Sequence, residues 1–187
     1  MTSLGRAGGS LDDAGFSANA GTAKAGQAGE LLTAKILDAQ AAARGFTVLH
    51  DLRIPRAKAN IDHVVVAGSR VWVIDSKLWM PGLYSTVRTH TWHRYKGRFT
   101  SAPHADKRGL PLGHARIAEL LEPLDAQMQR PLMVVHSSRP GERVALWAFQ
   151  PASDPGAKVR AIHPTKLRFP SREADPRIVA ALARLTN

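Results

Sequence analysis

Two aspartates and a lysine interrupt two strongly apolar segments of the sequence. Asp62 lies in the run Ile-Asp-His-Val-Val-Val-Ala-Gly, and Asp75 and Lys77 lie in the run Val-Trp-Val-Ile-Asp-Ser-Lys. Strands with near-continuous Val and Ile are usually buried on both faces, where an ionised side chain is costly unless it is paired or binds a metal. We therefore treat these three residues as candidates for chemistry.

The spacing of the three residues predicts that they meet across a hairpin. Gly68 and Ser69 separate the two β-rich runs, which is the pattern of a two-residue hairpin turn. If they are the turn residues, Asp62 faces Asp75, with Cβ atoms ~4.5 to 5.5 Å apart. Lys77 projects from the same face as Asp75, because side chains alternate along a strand. Two carboxylates and an ammonium group should therefore converge where the hairpin opens.

Facing carboxylates of this kind suit a hard divalent cation such as Mg²⁺ or Mn²⁺. Such an ion keeps several waters and accepts a phosphate oxygen as a further ligand, which permits metal-assisted phosphodiester hydrolysis. Lys77 would hold the attacking water and stabilise charge in the transition state. The alternative is structural: both aspartates would be strand-end residues paired with nearby Arg or Lys side chains.

The elements that must position these residues follow from periodicity and turn signals. The pattern predicts a mixed α/β domain, with a central mixed sheet flanked by helices. We expect helices at residues 22–44 and 112–121, and a last helix that begins after Asp175 as N-cap with Pro176 at its first position. We expect strands at residues 46–54, 61–67, 70–77, 132–136, 144–149 and 159–162, and an exposed antiparallel ribbon at residues 83–100 around a Lys96-Gly97 turn.

Length, charge and cysteine content limit the class of protein. A chain of 187 residues fits one domain, which we place at residues 21–187, after a Gly/Ala/Ser-rich tail at residues 1–20 that is expected to be flexible. The formal net charge of +11 favours an anionic partner, most commonly nucleic acid. The absence of Cys excludes disulfides and thiolate catalysis. No secretion signal or membrane-spanning run is evident, so we expect a soluble cytoplasmic protein.

Cations and aromatic rings alternate in the predicted ribbon, in a pattern that suits phosphate contact and base stacking. The partner would be DNA, with RNA as the other nucleic acid that this pattern allows; the alternative is a solvated edge hairpin with a packed Trp. The candidate contact residues are Arg88, Trp92, Arg94, Tyr95, Lys96 and Arg98.

The residues around the hairpin resemble a known family. Gly29-Glu30 in the first helix, followed by AKANIDHVVVAGSRVWVIDSKLWMPGLY at residues 57–84, resembles the nuclease-related domain (NERD) family of the PD-(D/E)XK nuclease superfamily. The resemblance implies a restriction-endonuclease-like fold and Mg²⁺-dependent cleavage of nucleic acid. It implies metal-binding roles for Asp62 and Asp75, a catalytic role for Lys77, and a role for Glu30 in completing the metal site.

The chain departs from the family after the hairpin. Members often carry an Asn-Pro pair and then a Gln that opens the next helix, whereas this sequence has His104-Ala105-Asp106 and Gly113-His114.

The sequence thus predicts a Mg²⁺-dependent deoxyribonuclease of the PD-(D/E)XK type. One alternative is a nucleic-acid-binding protein that retains the fold but does not cleave, and another is an assembly module that binds acidic proteins. The strandedness of the substrate, the endo or exo mode of cleavage and the oligomeric state stay open.

Overall fold

The computed structural model describes residues 2–9, 20–54, 60–106, 109–151 and 158–186. These residues form three α-helices and eleven strands, which are distributed over two sheets. The helices are α1 (Ala20–Arg44), α2 (Gly109–Leu121) and α3 (Pro176–Ala183). The strands are β1 (Ser3–Leu4), β2 (Thr47–Arg53), β3 (Asn60–Ala67), β4 (Arg70–Trp79), β5 (Gly82–Val87), β6 (His90–Tyr95), β7 (Arg98–Ser101), β8 (Gln127–Met128), β9 (Leu132–Ser137), β10 (Val144–Leu146) and β11 (Arg160–Ile162).

The larger sheet has seven strands in the order β1-β2-β3-β4-β9-β11, with β8 paired to the start of β4. Strands β2, β3 and β4 are antiparallel, whereas β4, β9 and β11 are parallel. Alternate residues of β3 pack on opposite faces: Val65 lies in a cluster with Leu37 of α1, and Val64 lies in a cluster with Ile117 of α2 and Ile178 of α3. Burial on both faces explains the near-continuous Val and Ile runs. The predicted mixed sheet flanked by helices is confirmed.

The central hairpin has the register that its turn predicts. Ala67 pairs with Arg70, and the pairing continues without a slip to His63 and Ile74. Gly68 adopts a φ of +62°, a conformation that side chains with a Cβ rarely adopt. The predicted hairpin and its register are therefore confirmed.

A second, four-stranded sheet has the order β10-β5-β6-β7. The predicted antiparallel ribbon at residues 83–100, with its turn at Lys96 and Gly97, is present, but it consists of three strands and has an additional turn at Arg88 and Thr89. Arg88 adopts a φ of +57° in that turn, and neither residue gives a Gly or Asn turn signal. Trp79 of β4 joins the two sheets, since its ring centroid lies 4.8 Å from that of Tyr84 in β5.

The structure corrects the expectation of a flexible tail at residues 2–9. Ser3 and Leu4 form a parallel pair with Val48 and Leu49 and so extend the edge of the larger sheet. Gly5 follows with a φ of +74°, and a Cβ there would lie within clashing distance of the His50 carbonyl oxygen. A short parallel strand leaves no local periodicity from which it could be predicted. Residues 10–19 of the expected tail lie outside the described residues.

The helix ends agree with their capping signals. Asp175 is the N-cap of α3, as predicted, and its Oδ1 accepts a hydrogen bond of 2.9 Å from the Arg177 backbone N–H. Helix α2 begins at Gly109, three residues earlier than predicted, because Pro111 fits the first turn of a helix, where no intrahelical donor is required.

Among the described helices, none is both long and apolar enough to cross a membrane.

Candidate active site

The candidate site lies where β3 and β4 separate. Backbone pairing between these strands ends at His63 and Ile74, and the same register extended by one residue places Asp62 opposite Asp75. The backbone N–H of Ser76 then donates to Oδ2 of Asp62 over 2.6 Å. A side-chain bond therefore replaces the next rung of the ladder, and β4 continues alongside β9 alone.

Asp75 and Lys77 form a close ion pair on the same side of β4. Nζ of Lys77 lies 2.6 Å from each carboxylate oxygen of Asp75. Only the contact with Oδ1 has hydrogen-bond geometry, so Oδ2 is a buried oxygen with no hydrogen-bond partner among the described residues. An ionised oxygen in that state is costly unless a further cation or donor binds it.

Glu30 approaches this pair from helix α1. Gly29 allows the approach, because a Cβ at that position would lie 3.3 Å from the backbone nitrogen of Leu78 and 3.4 Å from the carbonyl carbon of Lys77. The Gly8 backbone N–H donates a hydrogen bond to the Glu30 carboxylate. Glu30 therefore lies close to Asp75 and Lys77, and the N-terminal segment helps to orient it.

Replacing Gly29 with valine should lower stability by about 1 to 3 kcal/mol, because a branched side chain would force helix α1 away from β4. Thermal or denaturant unfolding of the metal-free protein measures the effect. Gly109→Val is the matched control, since nothing lies within 4 Å of a Cβ at that helical position. Equal stability of the two variants would contradict the close approach of α1 to the site.

The acids of the site repel one another in a poorly solvated environment. Burial raises the pKa of Glu30 to about 7, and the negative charges of Asp51 and Asp75 add to the increase. Burial also raises the pKa of Asp62, again with a contribution from Asp75. Burial alone would lower the pKa of Lys77, but the adjacent carboxylates outweigh it and raise that pKa above its ordinary value. Lys77 therefore stays protonated at neutral pH, whereas Glu30 and Asp62 hold their protons more readily than isolated carboxyl groups do.

Asp51 is a fourth buried acid that the sequence interpretation missed. The β2–β3 register places it beside Asp62, and its backbone adopts a φ of +52° at that point. Asn60 Nδ2 donates to its Oδ1 over 2.8 Å, and its charge raises the pKa of Glu30. The signal was available: Asp51 interrupts the buried strand Thr-Val-Leu-His-Asp-Leu-Arg in the same way that Asp62 interrupts β3.

A chain of hydrogen bonds supports the opposite face of the hairpin. His63 Nε2 lies 3.0 Å from Ser76 Oγ, His63 Nδ1 lies 2.8 Å from His50 Nδ1, and His50 Nε2 lies 3.0 Å from Asp38 Oδ1. Burial lowers the pKa of His63, which favours its neutral form. If both rings are neutral, the Asp38 carboxylate accepts from His50 Nε2. His50 Nδ1 then accepts from His63 Nδ1, and His63 Nε2 accepts from the Ser76 hydroxyl. The predicted structural role of His63, on the face opposite Asp62, is confirmed.

The carboxylates of the site fit a magnesium-type ion better than a metal whose ligands must all come from the protein. Within the described ranges, no group of three His, Cys, Asp or Glu side chains is arranged to hold a metal by itself. Mg²⁺ needs only one or two carboxylates, since waters and phosphate oxygens complete its shell. Such a cation would bind Oδ2 of Asp75, which has no hydrogen-bond partner among the described residues. It would also reduce the mutual repulsion of Asp75, Asp62 and Glu30.

The sequence model of the nuclease-related domain family, NERD, matches residues 25–134. The chain belongs to this family. The match spans more than half of the chain and includes Glu30, Asp62, Asp75 and Lys77. No curated protein matches the sequence. No solved structure matches it either.

The segment in which this NERD domain departs from the family pattern has structural contacts. The His104 ring packs edge-on against Trp79, with centroids 5.6 Å apart. A Cβ on Gly113 would lie 3.1 Å from Cγ1 of Ile61, so the glycine lets α2 pack directly behind Asp62. His114 Nε2 lies 3.0 Å from the Gln129 carbonyl oxygen. These contacts support the hairpin and the α2 helix.

The NERD domain does not bring all six predicted nucleic-acid contacts to one surface. Trp92 and Arg94 project from the exposed face of the small sheet. Tyr95 projects from the opposite face, where its hydroxyl donates to Glu142 and accepts from Arg139. The remaining three residues are exposed: Arg88 and Lys96 lie in turns, and Arg98 pairs with Tyr95.

Proposed function

We propose that this NERD domain is a Mg²⁺- or Mn²⁺-dependent nuclease of the PD-(D/E)XK type that hydrolyses phosphodiester bonds in DNA. The observation that carries the proposal is the convergence of Asp62, Asp75 and Lys77 at the open end of the hairpin. Oδ2 of Asp75 is buried there without a hydrogen-bond partner among the described residues. Membership in a nuclease-related family and the net charge of +11 favour nucleic acid as the partner.

Asp62 and Asp75 would hold the metal ion, with Glu30 assisting. When bound, such an ion lowers the pKa of a coordinated water and neutralises charge on the phosphate. Asp62 is held toward the site by the backbone N–H of Ser76, so the protein fixes one carboxylate in advance. Glu30 is held by the Gly8 N–H in the same way. Fixed ligands reduce the reorganisation that the reaction would otherwise require.

Lys77 contributes a positive charge and a hydrogen-bond donor. Because its pKa is raised, its ammonium group keeps its protons at neutral pH. It can therefore orient an attacking water by hydrogen bonding and stabilise negative charge that develops on the phosphoryl oxygens. Asp75, 2.6 Å away, sets the position of Nζ.

Glu30 is suited to proton transfer as well as to metal binding. Its pKa of about 7 means that the carboxyl group is protonated in a large fraction of molecules near neutral pH. A group with a pKa near the working pH can release and accept a proton most effectively. In the metal-free protein Glu30 can thus exchange a proton near neutral pH.

A cleavage assay tests the proposal. Supercoiled plasmid, single-stranded DNA, branched DNA and RNA are incubated with Mg²⁺, Mn²⁺ or EDTA, with wild-type protein and with Asp75→Asn. We expect metal-dependent cleavage of DNA that falls by at least about 10³-fold in the variant, since removing a metal ligand removes the electrostatic stabilisation it supports. Asp175→Asn, purified identically, controls for contaminating nucleases. Cleavage that is equal in all three proteins would refute the proposal.

A non-catalytic nucleic-acid-binding protein with the same fold is the second candidate. It is favoured by one observation, the ion pair in which Lys77 already contacts both oxygens of Asp75. DNA binding without cleavage under every metal condition would select it. Neither candidate requires a membrane or a disulfide, and the absence of Cys suits a reducing compartment, so we propose the cytoplasm as its location.

A further inference from the structure

One face of the small sheet carries exposed aromatic rings in adjacent rows. Along β6 the exposed residues alternate with less exposed ones, and Trp92 and Arg94 lie on the exposed side. Arg94 pairs with Phe99 of β7, and its guanidinium carbon lies 5.4 Å from the centroid of the Phe99 ring. Trp92 and Phe99 expose 40% and 62% of their surface.

Trp147 extends this face across β5. Ala145 of β10 pairs with Leu83, which in turn pairs with Arg94. Trp147 follows two residues after Ala145, and its backbone N–H donates to the Tyr84 carbonyl oxygen, which continues the strand pairing. Strand alternation therefore places it on the same side, and 71% of its surface is exposed. We call the surface formed by Trp92, Arg94, Phe99 and Trp147 the aromatic face.

The charge around the aromatic face has one sign. Residues 82–101, which include β5, β6 and β7, contain no Asp or Glu. Of their four Arg and Lys residues, Arg94 lies on the aromatic face and Arg88 in the turn after β5, whereas Lys96 and Arg98 lie on the side of Tyr95. Strand β10 has no charged residue. Large aromatic side chains without a partner are unusual on a protein surface, and clustered ones mark interaction sites. The combination of rings and cations without acids matches a ligand that has flat apolar groups and a polyanionic backbone.

We propose that the aromatic face binds single-stranded DNA, by stacking unpaired bases on Trp92, Phe99 and Trp147, and delivers the strand to the candidate active site. The proposal deepens the proposed nuclease function and rests on it. Duplex DNA is disfavoured as the occupant because its bases are already stacked on one another and cannot reach rings that lie on a flat sheet. Arg94, held over Phe99, is placed to contact the phosphates that join the stacked bases.

The aromatic face and the candidate site are close in the chain. Strand β4 carries Asp75 and Lys77, and β5 begins at Gly82, only five residues beyond Lys77. Five residues span at most about 18 Å. Binding surfaces of this kind contact about 4 to 16 nucleotides of a single strand, so one bound strand is long enough to reach both surfaces.

The test measures the affinity of a fluorescein-labelled oligodeoxythymidylate by anisotropy in EDTA, so that binding is separated from cleavage. We expect Trp92→Ala to weaken binding roughly 5- to 150-fold, as for loss of one stacked base. Trp92→Phe should retain most of the affinity, whereas Trp92→Leu, which is apolar but cannot stack, should not. Arg94→Gln should reduce the slope of log affinity against log salt by about 0.7.

Controls separate this proposal from the function on which it rests. Leu112→Ala, which truncates an exposed apolar side chain on α2, should leave the affinity unchanged. Binding is measured in EDTA, so failure of the proposed nuclease activity does not affect this result. Three results would overturn the proposal. They are equal affinity for a blunt duplex, tighter binding of the corresponding oligoribonucleotide, and equal affinity of the Trp92→Leu and Trp92→Phe variants. A dimer in sedimentation equilibrium that Trp92→Ala disrupts would assign the face to self-association instead.

Discussion

Replacing Lys77 with methionine is expected to lower the rate of DNA cleavage by about 10²- to 10⁴-fold. Methionine has a similar length but no charge, so the substitution removes the donor and the positive charge proposed for the transition state. The reason is that Nζ is a fixed cation 2.6 Å from Asp75 and does not lose its proton near neutral pH. Single-turnover cleavage at saturating Mg²⁺ measures the effect, and circular dichroism confirms the fold.

The same variant distinguishes a catalytic lysine from a structural one. In the metal-free protein Nζ contacts both oxygens of Asp75 and therefore competes with a metal ion for them. Lys77→Met should consequently bind Mn²⁺ at least as tightly as wild type in a calorimetric titration, although it cleaves slowly. Lys77→Arg, which preserves the charge, should retain part of the activity. If Lys77→Met cleaves within threefold of the wild-type rate, the proposed role of Lys77 is wrong.

Glu30 is expected to destabilise the folded, metal-free protein increasingly as the pH rises from about 4.5 to about 7. Glu30 has a pKa of about 7 in the folded protein and an ordinary value of 4.5 in the unfolded chain. Between these values the folded state holds a proton that the unfolded state has released, so a rise in pH favours unfolding. After allowance for solvent screening, Glu30 alone contributes on the order of 2 kcal/mol. Asp62, whose pKa is also raised, acts in the same direction, whereas the lowered pKa values of His63 and His136 act in the opposite direction.

Urea unfolding of wild type and Glu30→Gln at pH 5 and pH 8 measures this contribution: the stability of Glu30→Gln relative to wild type should increase from pH 5 to pH 8, because the glutamine cannot ionise. Adding Mg²⁺ should restore stability mainly at pH 8, since the metal binds the deprotonated folded site and not the unfolded chain. Glu119→Gln, at an exposed position on α2, is the matched control and should leave the pH profile unchanged. A stability difference between Glu30→Gln and wild type that stays the same at pH 5 and pH 8 would contradict the raised pKa of Glu30.

The hairpin and its acids could be predicted because the information was local. A two-residue turn at Gly68 and Ser69 fixes the register, and strand alternation then places Asp62 and Asp75 face to face and His63 on the other side. The first helix and the Asp175 cap were equally local signals. Glu30 required the family resemblance, because an acid in an Ala-rich helix has no pattern of its own.

The parts that were not predicted depend on contacts between distant segments. Ser3 and Leu4 join the sheet edge by pairing with β2, more than forty residues away. Trp147 joins the aromatic face only because β10 pairs in parallel with β5. Neither segment has a periodicity that indicates its partner, and both are too short to show one. Asp51 is different, since its buried strand carried the same signal as β3.

The bond between the Ser76 amide and the Asp62 carboxylate makes that amide proton a spectroscopic reporter of the site. A short bond of 2.6 Å to a carboxyl oxygen should shift its NMR resonance downfield and slow its exchange with solvent. A metal ion that draws electron density from Asp62 would weaken the bond and move the resonance upfield. Occupancy of the site can therefore be followed at a single backbone atom, in the absence of any substrate and before a bond is broken.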